Sequence, residues 1–126
     1  AGTIDSLVAI SFGNSGNANN TFDLENKKVT MEGIADNTFT LKVVSPKGVD
    51  AAITGGTTWL EIDGTPTVIE LSSGKIQTTV TCKIKDATGM DTTAKTDGKV
   101  AFTNKLNNTD KLEIAVETSV PAAPVP

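Results

Sequence analysis

Apolar and polar residues alternate with a period of two along most of this chain, and no window carries a convincing 3.6-residue stripe. The first run, Ile4 to Phe12, sets Val8, Ile10 and Phe12 on one face. Gly13 to Asn20 then interrupts it with residues that tolerate left-handed backbone or bond their own main chain. Phe22 with Leu24, and Val29 with Met31, predict two short strands around the turn Glu25–Lys28. Asn37 to Val44 is the clearest strand, with Phe39, Leu41 and Val43 opposed to Thr38, Thr40 and Lys42, and Pro46 and Gly48 stop it. Val49–Ile53 and Thr57–Ile62 flank Gly55-Gly56 and predict a hairpin. Thr67–Leu71 and Ile76–Lys85 follow across Ser72–Lys75, and Asp86 to Gly98 is a long polar connection. Val100 with Phe102, and Leu112, Ile114 and Val116, close the pattern around an expected turn at Asn107–Asp110.

Eight or nine strands at this spacing predict an all-β fold of two packed antiparallel sheets with Greek-key connections. Phe39, Leu41, Val43, Val80, Ile84, Ile114 and Val116 are its expected inter-sheet core. A length of 126 residues fits a single domain, and without an internal repeat it is read as residues 1–120 of sandwich plus a tail, 121–126. The tail, Pro-Ala-Ala-Pro-Val-Pro, reads as polyproline-like extended chain.

Composition narrows the chemistry. The chain has no histidine, arginine or tyrosine, which removes the usual general base, the bidentate anion clamp and a common sugar-stacking ring. Neither a Ser–Lys pair nor a carboxylate pair stands at a recognisable spacing, so the chain is read as non-enzymatic. A net charge of −4, from eleven scattered lysines against fifteen acids, disfavours nucleic acid, whose phosphates need clustered cations. No stretch approaches the roughly 18–20 apolar residues of a membrane span, so no membrane insertion is expected. The first residues carry no signal-peptide pattern; either a signal was removed or only an initiator methionine preceded Ala1.

One cysteine and no histidine leave no transition-metal site, and no cofactor is expected. Calcium needs only oxygen donors, which makes Asp86, Asp91 and Asp97 its candidates, although their spacing departs from the regular loop pattern and suits turn residues better. Cys82, in phase with Val80 and Ile84, reads as a small buried hydrophobe. Asn19-Asn-Thr21 and Asn107-Asn-Thr109 match the N-glycosylation pattern, a frequent chance match in a chain rich in Asn and Thr. Trp59 is the only tryptophan. Alternation leaves two options for it, a core cap or an exposed contact for a ligand or partner. All four phenylalanines (Phe12, Phe22, Phe39 and Phe102) stand at core-phase positions, so at most one ring is free to stack on a sugar.

From Phe39 onward the order of elements resembles the BACON family. The matching pieces are Phe39-Thr-Leu-Lys-Val43, the Trp-Leu-x-Ile unit at Trp59–Ile62, and the strand Thr78–Ile84. Gly98-x-Val-x-Phe102 and the closing strand Leu112–Val116 complete the likeness over about two-thirds of the chain. It departs from the family at Thr96-Asp97, where arginine is common before the glycine, and at Glu117, where glutamine is common. The resemblance implies an immunoglobulin-like β-sandwich, used in that family as a spacer, adhesion or carbohydrate-associated module.

These features together lead to the expectation of a structural or display module of an extracellular, cell-surface or virion assembly, such as a capsid decoration or fibre subunit. The alternative is a carbohydrate-binding or adhesive module. Both ends carry apolar arms, and the chain is read as free-standing with no catalytic region expected beside it, which suits self-assembly or a protein partner. The partner-binding candidates are Trp59, Val120, Pro121, Pro124, Val125 and Pro126.

Overall fold

The computed structural model describes residues 9–13 (backbone only), 20–23 and 25–121. The expectations placed on Ile4 to Val8, on residues 14–19, on Leu24 and on residues 122–126 lie outside the described residues, as do the side chains of Ile10 and Phe12.

The described residues form ten strands and no helix. They are β1 (Ala9–Gly13), β2 (Thr21–Asp23), β3 (Lys28–Glu32), β4 (Thr38–Ser45), β5 (Val49–Gly55), β6 (Leu60–Ile62), β7 (Thr67–Glu70), β8 (Ile76–Ile84), β9 (Gly98–Asn104) and β10 (Asn107–Ser119). One five-stranded sheet runs β1-β4-β8-β6, with β7 on the same side of β8 as β6. The other runs β2-β3-β10-β9-β5. Every pairing is antiparallel except β3 with β10, which is parallel and sets Val29 beside Val116.

Threonine, valine and isoleucine fit a pleated, half-buried surface, and the period of two sorts them between faces. In β4 and β8 buried residues alternate with half-buried or exposed ones, and β4 pairs with β8 so that Phe39 opposes Cys82 and Leu41 opposes Val80. All seven expected core residues have no solvent exposure, as have Val29, Met31, Cys82, Met90, Val100 and Phe102. The inner faces of both sheets enter one hydrophobic cluster, so the architecture is a two-layer β-sandwich.

Two local expectations are corrected. β5 and β6 are not a hairpin: they lie in different sheets, because the chain turns at Gly56 (φ 68°) and crosses the sandwich. The Gly56 carbonyl accepts from the N–H groups of Trp59 and Leu60 at 3.0 and 2.9 Å. Nor is Asn107–Asp110 the β9–β10 turn; that turn is Lys105-Leu106, and Asn107 already pairs with Asn104. The next pair is Lys111 with Thr103, so β10 carries the extra residues as a bulge, and Asn107 Oδ1 stabilises it by accepting from Thr109 N–H and Oγ1–H at 3.2 and 2.7 Å.

Candidate functional site

The most elaborate junction in the sandwich is built around Trp59. The residue is 2% exposed. A Cβ placed on Gly56 or on Gly98 would stand 2.8 Å from its ring, so the two glycines are what admit it. The indole N–H donates to Asp97 Oδ1 at 2.9 Å, and Lys85 N–H donates to the Trp59 carbonyl at 2.8 Å. Trp59 thus ties the β5–β6 crossing to the start of β9. Of the two options left by alternation, Trp59 occupies the buried one, and a ring walled by backbone offers no stacking face.

The connection 86–97 is held down at the same end of the sandwich. Met90, fully buried, packs against Gly33, and Lys95 N–H donates to Thr118 Oγ1 at 2.8 Å while Thr118 N–H donates to the Lys95 carbonyl at 2.9 Å. Alternation gave no signal for Met90, because an anchor in a loop has no period. Asp86 accepts from the Thr88 hydroxyl and N–H at 2.6 and 3.0 Å, and these bonds, the hydroxyl first, hold its carboxyl below the usual range. Asp97 is engaged with Trp59 and Asp91 is exposed, so the three aspartates are not brought together as calcium ligands. Among the described residues no group of three His, Cys, Asp or Glu side chains is placed to hold a metal ion. Asp23 is held below the usual carboxylate range in the same manner as Asp86, by the side chain and then the backbone N–H of Asn26.

A second polar lock joins the two sheets. Asn20 and Asn37, each 5% exposed, exchange amide hydrogen bonds of 3.0 and 2.8 Å, and their remaining groups bond Thr38 O, Glu32 O and Glu32 N–H. Satisfied in this way, the pair is structural. Cys82 is buried, and desolvation pushes its thiol up to about 12, which makes it inert as a nucleophile.

What remains for function is the surface. Large apolar side chains are exposed at Ile34, Val68, Ile69, Leu106 and Val120. Val120, one of the partner-binding candidates, is 46% exposed, and Pro121 beside it is half-buried; Pro124, Val125 and Pro126 lie outside the described residues. Ile34 stands at the same end of the β3–β10 pair, where Gly33 N–H donates to the Ser119 carbonyl at 2.9 Å.

The stronger feature, which alternation did not single out, is β7. All four of its residues are exposed, Val68 by 58% and Ile69 by 47%. Among the described residues it pairs with β8 alone. The Leu71 N–H bond to Lys75 O (2.8 Å) fixes the phase, so Thr67 and Ile69 bond β8 while the N–H and C=O groups of Val68 and Glu70 point away from it. Val68 opposes buried Thr78 and so stands in the inner-face phase, yet remains uncovered. Thr78 Oγ1 is itself buried and has no hydrogen-bond partner among the described residues.

No family model matches this chain, and no curated protein matches it. Among the described residues no helix is long and apolar enough to cross a membrane.

Proposed function

We propose that this chain is a non-catalytic structural or display module, an immunoglobulin-like sandwich related to BACON modules, that works in an extracellular, cell-surface or virion assembly. The observation that carries this reading is β7, a strand exposed on both faces at Val68 and Ile69, whose outward main-chain groups at Val68 and Glu70 meet no second strand among the described residues. Solvent-exposed edges are usually blunted by charge, and uncovered apolar edges mark sites of association. Val120 and Ile34 supply a second apolar surface at the end where β10 leaves the sandwich. The packing of Trp59 on Gly56 and Gly98 gives the Trp-Leu-x-Ile and Gly-x-Val-x-Phe units a shared physical purpose, which suits the BACON resemblance. It also takes the one tryptophan away from sugars, so the assembly reading stands ahead of the glycan-binding one.

Sedimentation velocity over micromolar to millimolar concentrations, run beside a glycan array, tests the reading. Concentration-dependent association with no glycan hits is the expected result. A strict monomer that binds a defined glycan class would overturn it.

A further inference from the structure

Resting on that assembly reading, we infer that the β7 edge of one copy takes residues 122–126 of a second copy as an added antiparallel strand. The outward groups of Val68 and Glu70 ask for two partner residues spaced two apart, each with an N–H and a C=O. In Ala122-Ala-Pro-Val-Pro126, Ala123 and Val125 have that spacing and keep their N–H groups. Pro124 and Pro126 fall in the opposite phase, where an added edge strand needs no donor, and their missing N–H groups end the sheet there. Pairing Val68 with Val125 and Glu70 with Ala123 stacks valine on valine in the uncovered inner-face phase and sets Pro124 opposite Ile69. The segment has no charged side chain to meet Glu70.

The donor is a second copy, because a chain's own segment cannot reach. Gly48 and Lys105, joined by a 3.1 Å backbone bond, mark one end of the sandwich, and a Cβ on Gly48 would stand 3.7 Å from Ile76 Cγ2, beside the end of β7. β10 starts at that end and delivers Ser119 and Val120 to the other, roughly 30 Å away at about 3.3 Å per residue. From Val120 to Ala123 an extended chain covers only about 10 Å. In a β7–β7′ dimer, the competing occupant, two Glu70 carboxylates would enter one four-residue contact, whereas residues 122–126 bring no charge to it. Donor end and acceptor edge are different surfaces, so the association is head-to-tail and does not close on a dimer.

Two variants test this by sedimentation velocity and native mass spectrometry. Deleting Ala122–Pro126 leaves an acceptor without a donor. Val68→Pro leaves a donor without an acceptor, because the lost N–H faces away from β8; Val68→Lys replaces it should the proline lower the thermal midpoint. The full chain is expected to form a concentration-dependent ladder of oligomers. Each variant alone should raise the apparent Kd by about tenfold or more. An equimolar mixture of the two should form a 1:1 heterodimer and nothing larger. If the truncated chain associates as well as the full one, the inference falls while the assembly reading stands, and a dimer sensitive only to Val68 would identify the β7–β7′ contact. A mixture that stays monomeric while the full chain assembles overturns the inference as well, and a full chain that never associates overturns both.

Discussion

At Gly98 the side chain is a hydrogen because two neighbours occupy the space a methyl group would need. A Cβ there would lie 2.5 Å from the Val116 carbonyl oxygen and 2.8 Å from the Trp59 ring. Gly98→Ala is therefore expected to cost about 1–3 kcal/mol through overpacking. Gly74→Ala meets nothing within 4 Å and only strains a left-handed residue (φ 86°), for about 1 kcal/mol. Urea denaturation of both variants checks the order; a Gly98→Ala protein as stable as the parent would deny the Trp59 packing. Asp97→Ala leaves the indole N–H buried without its acceptor and should lose about 1–3 kcal/mol, with a changed Trp59 emission maximum. Cys82 should resist aromatic disulfide reagents in the native protein and react at the rate at which the sandwich opens, which a thiol-labelling time course in increasing urea measures. Asp23 and Asp86 have depressed pKa values, so what they contribute is present above the ordinary carboxylate pKa and fades as pH falls through their folded values. Both are fully exposed, and acid sensitivity from this source will be slight.

Among the elements, β4 and β8 show how far alternation carries. Their phases place Phe39, Leu41, Val43, Val80, Cys82 and Ile84 inside, and each is fully buried. Phe39→Ala or Ile114→Ala should lose roughly 2–5 kcal/mol from transfer energy and the cavity left behind. Lys42→Ala, on the outer face, should change stability by less than about 0.5 kcal/mol. Equal losses at Leu41 and Lys42 in urea melts would refute the register. The β5–β6 crossing, the β10 bulge and the parallel β3–β10 pair were not legible, because a period of two says which way a side chain points and nothing about which strand lies beside it. β7 failed for a related reason: Thr-Val-Ile-Glu reads like any half-buried strand, and only its place beyond the edge of the core leaves Val68 and Ile69 exposed.

Taken whole, the described residues share one hydrophobic cluster fed by both sheets, which predicts a single cooperative unfolding transition. Trp59 emission and far-ultraviolet circular dichroism should report the same midpoint; two separated midpoints would mean that the junction around Trp59 opens independently. Residue types and their period were enough to determine the all-β class and the inward face of the major strands, because burial of one face is a property of each strand by itself. The same composition by itself leaves out the usual catalytic base and the anion clamp. Tertiary structure alone decided the rest. It chose the neighbours of each strand, packed Trp59 against Gly98 and Asp97, both far from it in the chain, drew Met90 inward, separated Asp86, Asp91 and Asp97, and left β7 with β8 as its one partner among the described residues. Contacts between residues distant in sequence depend on how the whole chain closes, and no local pattern of polar and apolar positions records that.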